Sequence, residues 1–215
     1  MADPLTNPNW FVRRWFSRVR RMWNAHLKPR APFMRYVEFG SYCGDSLLWA
    51  AENLLGPGGT ALGVDPWNGD IGVTPKRKDR LWPERLRLAQ QRCFDRCQQF
   101  NDSHADRKCH AIKQTSQTFL VDSLNHCARY DCVYIDAVHF APEALTDIAM
   151  SWLVLQDGGI LVVDDLFMGN NKKRRQPHVW QAWQAFKTCY AGRYEMVYEN
   201  EYQGAVVKLP EQPRG

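Results

Sequence analysis

Glu38-Phe39-Gly40-Ser41-Tyr42-Cys43-Gly44, followed twenty-one residues later by Asp65, is the stretch on which the fold reading turns. The apolar run Tyr36-Val37-Glu38-Phe39 feeds a glycine-containing turn, and an amphipathic segment from Asp45 to Leu55 follows. Gly56-Pro57-Gly58-Gly59 then leads into a second apolar run, Thr60 to Val64, which stops at Asp65. The order is strand, tight loop, helix, strand, carboxylate. In an open α/β sheet such a unit holds an adenosine-containing cofactor at the carboxyl ends of the strands. The glycines let the backbone approach the ligand, and a carboxylate ending the second strand can accept hydrogen bonds from both ribose hydroxyls.

The spacing within the turn narrows the cofactor. A pyrophosphate-binding loop reads Gly-x-Gly-x-x-Gly, whereas here it is Gly40-x-x-x-Gly44 with Glu38 before it. A carboxylate at that position repels a pyrophosphate and suits a cationic, amino-acid-bearing ligand. The Glu-x-Gly-x-x-x-Gly pattern resembles the first motif of class I S-adenosylmethionine-dependent methyltransferases; the bland alternative is any α/β domain with a glycine turn. Expected cofactor-binding residues are Glu38, Gly40, Ser41, Tyr42, Gly44 and Asp65, with Pro66-Trp67 as an apolar wall and Thr115-Ser116 near the adenine. Ser46 is expected to cap the first helix of the domain in preference to touching the cofactor's carboxylate.

The second half has the same grammar. Tyr130 to Ile135 is a buried-strand pattern ending in Asp136-Ala137-Val138-His139, and a segment of helical period runs from Glu143 to Leu155. Asp157-Gly158-Gly159 turns into Ile160-Leu161-Val162-Val163, which ends at Asp164-Asp165. Parallel strands of one sheet put these carboxylates on one rim. The block from Ile135-Asp136 to Asp164-Asp165 resembles the small O-methyltransferases that include macrolide-sugar and catechol-type enzymes. The resemblance covers about residues 34 to 208, with the motifs in the family's order.

That resemblance implies a divalent-metal site at Asp136, Asp164 and Asp165, all hard oxygen ligands suited to Mg²⁺. A metal-bound acceptor is oriented and acidified together. It also implies a catalytic role for Asp136 and Asp164, and Asp136 is placed at the cofactor as well. The histidine at 139 follows the sugar-type pattern, where the catechol-type branch often has lysine. It is read either as general base or as the residue orienting Asp136 or the cofactor. Without a metal, Asp164-Asp165 reads as a capping or loop carboxylate pair.

Composition bounds the rest. At 215 residues the chain accommodates one full-sized α/β domain. No apolar run reaches membrane-spanning length, and the N-terminus lacks a secretory pattern, so a cytoplasmic protein is expected. The seven cysteines are odd in number and irregularly spaced, which reads as reduced thiols. A zinc site at Cys93-x-x-x-Cys97 with Cys109-His110 is the minor alternative. The net charge of +5 concentrates in the N-terminal segment, in Lys76-Arg77-Lys78-Asp79-Arg80 and in Lys172-Lys173-Arg174-Arg175. That distribution argues against a nucleic-acid-coating surface. The two inner clusters fall on long connections after the second and fifth strands that are expected to flank the crevice, and they read either as solvated charge or as attraction for an anionic acceptor.

Residues 1–33 read as a tail plus a basic amphipathic helix from Trp10 to Leu27, and 34–215 as the methyltransferase domain. The helix carries Phe11, Val12, Trp15, Phe16, Val19, Met22, Trp23 and Leu27 on one side and arginines on the other. Packing on the domain or against a second copy is favoured over contact with a membrane surface, and a homo-oligomer is expected. The domain reads as a Rossmann-like doubly wound α/β sheet of about seven strands, mostly parallel, with a C-terminal antiparallel hairpin around Asn200 to Gln203. The leading functional expectation is an S-adenosylmethionine- and Mg²⁺-dependent O-methyltransferase acting on a small hydroxylated, sugar-like or polyol acceptor. The alternatives are a nucleic-acid methyltransferase and a non-catalytic, membrane-associated protein retaining the fold.

Overall fold

The computed structural model describes residues 15–68, 82–167 and 178–211. Helix α1 (Trp15–His26) and a short 3-10 turn (Lys28–Arg30) precede β1 (Phe33–Phe39). There follow α2 (Asp45–Asn53), β2 (Leu55–Asp65), α3 (Trp82–Ser103), β3 (Lys108–Lys113) and α4 (Ser116–Asn125). The second half adds β4 (Tyr130–Ile135), α5 (Ala141–Val154), β5 (Leu155–Val163), α6 (Val179–Cys189), β6 (Tyr194–Glu199) and β7 (Gly204–Lys208). Trp10 to Arg14 of the expected first helix and both inner basic clusters lie outside the described residues.

The seven strands form one sheet in the order β3-β2-β1-β4-β5-β7-β6. β1 to β5 are parallel, and β7 runs antiparallel to both β5 and β6, as the hairpin reading expected. Leu55 pairs with Phe33, but the regular ladder with β1 resumes only at Thr60, because the Gly-Pro-Gly-Gly insert shifts the register. The strand order reverses between β1 and β4, and a crevice opens at such a switch point beyond the strand ends.

Side chains alternate across the strands and build two apolar layers. On one face Tyr36, Cys132 and Tyr134 pack against Val19, Trp23 and Leu27 of α1, Leu47 and Ala50 of α2, and Ala89, Cys93 and Phe100 of α3. On the other, Val37, Phe39, Val133 and Ile135 meet Phe119 and Leu120 of α4, Ile148 and Trp152 of α5, and Trp183 and Phe186 of α6. The apolar stripe of α1 therefore closes one face of the sheet. Trp23 is fully buried, with its ring edge-on to Tyr134 at 4.8 Å and to Trp49 at 5.6 Å. Among the described residues, no helix is long and apolar enough to cross a membrane.

Candidate active site

Hydrogen bonds beyond the ends of the regular strands set the rim. Gly40 N donates to Val64 O at 2.8 Å, Asp136 N to Phe39 O at 2.9 Å, and Asp164 N to Ile135 O at 2.9 Å. Gly40, Asp136 and Asp164 thus stand side by side, one residue past β1, β4 and β5. No other residue type fits position 40. Its φ is +94°, and a Cβ there would lie 1.8 Å from the carbonyl oxygen of Asp136. Gly44, at φ +76°, is the N-cap of α2 and rests on Cys93.

Asp65 ties the first loop to the second. Its Oδ2 accepts Tyr42 N–H at 2.9 Å and its Oδ1 accepts Trp67 N–H at 2.6 Å. Each oxygen retains further acceptor capacity, and the residue is only partly covered. Burial raises its pKa, and the two backbone N–H groups oppose that rise. Trp67 turns inward: its ring is buried, packs on Phe94, and its Nε1–H donates to Tyr42 O at 2.8 Å. It anchors the loop, and Pro66 stays partly exposed beside it.

Glu38 lies deeper than the rim. It is fully buried and accepts hydrogen bonds from Tyr36 Oη at 2.9 Å and Ser46 Oγ at 3.1 Å. Burial pushes its pKa up to about 7 against those hydrogen bonds. Its visible role is to tie the first turn of α2 to β1. Ser46, expected as a cap, is spent on Glu38, and Gly44 occupies the N-cap without a side-chain hydrogen bond. Ser41 is buried in the same loop.

Beyond β3, where the adenine is expected, Gln114 N donates to the backbone oxygen of Asp65 at 3.3 Å, which places the start of α4 beside that residue. Thr115 caps α4 by accepting Thr118 N–H. Ser116 is buried and donates to both oxygens of Asp147 at 2.9 Å, and Gln117 Nε2 reaches the same carboxylate. Asp147, itself fully buried, is pushed up to about 6 by burial.

Across β1 the acidic cluster assembles, though not as the sequence suggested. The donor atoms of Asp136, His139 and Asp165 lie within 4.8 Å of one another, the only such group of three among the described residues. His139 Nε2 is 2.9 Å from Asp165 Oδ2, yet neither ring nitrogen makes a well-aligned hydrogen bond although both are buried. Asp164 faces another way: Tyr134 Oη donates to its Oδ2, and Asp165 N–H to its Oδ1 at 2.7 Å. The hydroxyl of Tyr134 also lies 3.2 Å from Asp136 Oδ2. Burial, then the neighbouring Asp164 and Asp165 charges, hold the Asp136 pKa well above the carboxylate range. Burial and Asp165 push Asp164 up to about 7.

Crowded carboxylates beside a histidine with unaligned ring nitrogens fit a divalent cation, whose charge would relieve the repulsion. With one nitrogen donor available, the set suits Mn²⁺, Fe²⁺ or Zn²⁺ as well as Mg²⁺. Among the described residues the cysteines form no comparable group: Cys97 and Cys109 Sγ are 3.4 Å apart and buried, but His110 faces outward on β3.

Tyr134, whose hydroxyl meets Asp164 and Asp136, is a residue of the rim that the sequence reading missed. It was discoverable, since residues two apart on a strand share a face.

A parallel sheet in this order, with an antiparallel C-terminal pair, a glycine loop after β1 and a carboxylate ending β2, defines the class I methyltransferase fold. The chain belongs to the family described as "Methyltransferase domain", which it matches over residues 37–166. No curated protein matches it in sequence. Among solved structures it is similar to the O-methyltransferase TomG of Streptomyces achromogenes, solved with SAM (18% identity, 87% of this chain and 77% of that one, TM-score 0.54). It is also similar to an O-methyltransferase of Bacillus cereus in complex with SAH (14%, 89% and 81%, TM-score 0.55). A third is a structure titled as a putative rRNA-methylase of Clostridium thermocellum (13%, 92% and 97%, TM-score 0.56). At these identities the likeness is one of fold.

Proposed function

We propose that this chain is an S-adenosylmethionine-dependent O-methyltransferase that acts on a small hydroxylated acceptor with the help of a divalent cation. The observation that carries the reading is the division of one rim about β1. The glycine loop and Asp65 lie on one side, and Asp136, His139 and Asp165 lie on the other. A donor and an acceptor held in those halves would meet over the end of β1. The complexes of two fold neighbours with SAM and SAH support this choice of donor.

S-adenosylmethionine, when bound, supplies the methyl group from its sulfonium centre. Asp65 would receive the ribose hydroxyls, and the 40–44 loop would surround the amino-acid end. Glu38, buried behind that loop, supports it from below. A cation held by Asp136 and Asp165 would supply Lewis acidity at the acceptor oxygen and lower its pKa. His139 Nε2, beside Asp165, would take the hydroxyl proton. A second reading makes His139 the third ligand, and the gathering of its donor atom with those of Asp136 and Asp165 favours it. The basic segments after β2 and β5 support a preference for acceptors bearing carboxylate, sulfate or phosphate.

Calorimetric titration with SAM and SAH, with and without Mg²⁺ or Mn²⁺, tests the reading. Binding of both cofactor forms is expected, along with a separate cation site. A chain that binds neither cofactor form refutes it. His139→Ala separates the two roles: as base it leaves Mn²⁺ affinity intact, and as ligand it does not.

A further inference from the structure

The polar network behind Asp164 ends in the N-terminal helix. Gln203, in the β6–β7 hairpin, is fully buried. Its Oε1 accepts Trp23 Nε1–H at 3.1 Å and Tyr198 Oη–H at 3.0 Å. An indole nitrogen only donates, so the pair fixes which end of the amide is oxygen. Nε2 must then point away from Trp23. The antiparallel register pairs Val163 with Gly204, and one step further along it places Gln203 opposite Asp164. Nε2 is buried without a hydrogen-bond partner, at the position opposite Asp164.

The hairpin is braced to hold this geometry. Asn200 N donates to Gln203 O at 2.9 Å, and Gln203 N returns a bond to Asn200 Oδ1 at 2.9 Å. Tyr202 O accepts Leu166 N–H at 3.0 Å, which pins the chain just after Asp165. From Asp164 the network continues through Tyr134 Oη to Asp136. Gln203 thus bonds Trp23 from the N-terminal helix and stands opposite Asp164 in the sheet register.

We infer that Gln203 is a positioning residue for the carboxylate row, and that Trp23 of α1 sets its orientation. Gln203 holds Asp164, and Asp164 with Tyr134 holds Asp136 at the rim. The inference rests on the proposed acceptor side of the site and deepens it. It makes the N-terminal helix a determinant of site geometry as well as a cover for the sheet.

The test uses the full chain carrying Gln203→Met, which keeps the length without the amide, and Trp23→Phe, which keeps the aromatic packing without the N–H. Mn²⁺ and SAM affinities are measured by calorimetry, alongside thermal melting. Supporting partners of metal ligands commonly matter at about tenfold in affinity. Gln203→Met is therefore expected to weaken Mn²⁺ about tenfold and to leave SAM affinity unchanged. Trp23→Phe should add nothing further in the double variant, because the two act through one contact. Lowered melting temperatures with unchanged Mn²⁺ affinity would overturn the inference.

A second readout needs no metal. In ¹⁵N-tryptophan-labelled protein, the indole resonance that Trp23→Phe deletes is expected to move in Asp164→Asn. If the wild type takes up no Mn²⁺, the cation reading of the site fails, while the positioning role is still decided by this resonance. An unmoved resonance overturns it.

Discussion

Gly40→Ala is the most exacting single test of the crevice. Its Cβ would lie 1.8 Å from the Asp136 carbonyl oxygen and 3.2 Å from Ala137 Cα, and both are backbone atoms that cannot swing aside. The loop and the β4 end must separate by roughly 1.2 Å to reach even a 3.0 Å contact, and overpacking on that scale costs about 1–3 kcal/mol. The φ of +94° adds about 1–2 kcal/mol for any residue with a Cβ. Gly158→Ala is the control. It has a φ of +78° and nothing within 4 Å of the added Cβ, so it carries the backbone strain alone. If the chain keeps its fold by pushing the loop outward, the steric part appears as lost cofactor affinity, and 2 kcal/mol is about 30-fold in Kd. If the core resists, it appears as a fall in Tm of about 2–4 °C per kcal/mol for a domain of this size. SAM titration and calorimetric melting of both variants read the two routes. Gly40→Ala matching Gly158→Ala in both measurements would refute the close approach of the loop to Asp136.

Asp65→Ala removes the acceptor for two loop N–H groups and for the proposed ribose, with charge-assisted bonds worth about 1.5–3 kcal/mol each. SAM affinity should fall by at least about tenfold, and unchanged affinity would remove the ribose site. Burial holds the Glu38 pKa at about 7 in the folded state, above its ordinary value of 4.5. The folded state therefore binds the extra proton between those values, and stability falls as pH rises through that window. The difference corresponds to at most about 3 kcal/mol. Glu38→Gln should flatten the Tm profile between pH 5 and about pH 8, and a variant as pH-sensitive as the wild type contradicts this. Trp23→Ala empties a fully buried site and should cost about 3–5 kcal/mol in chemical denaturation. A loss under about 1 kcal/mol would mean that α1 does not pack as described.

Local sequence carried much of the fold. Strands such as Tyr130–Ile135 announce themselves as apolar runs because parallel strands are covered on both faces. The turn at Gly40 is legible because only glycine tolerates its backbone conformation and its neighbour. Asp65, Asp136 and Asp164 could be placed on one rim because Asp65 ends its strand, the other two follow theirs, and parallel strands align their ends.

What side chains do at those positions is another matter. Glu38 reads as a rim residue, but alternation along β1 puts it on the face covered by α1 and α2, where Tyr36 and Ser46 take its oxygens. Asp164 and Asp165 are adjacent and chemically identical, yet a φ of +55° at Asp165 sends one carboxylate toward His139 while Tyr134 takes the other. The Trp23–Gln203 bond joins residues 180 positions apart. Sequence determines which residues reach the rim, because strand ends and glycine turns are local events. Only the packed tertiary structure decides which way each carboxylate faces, because its hydrogen-bond partners come from strands and helices distant along the chain.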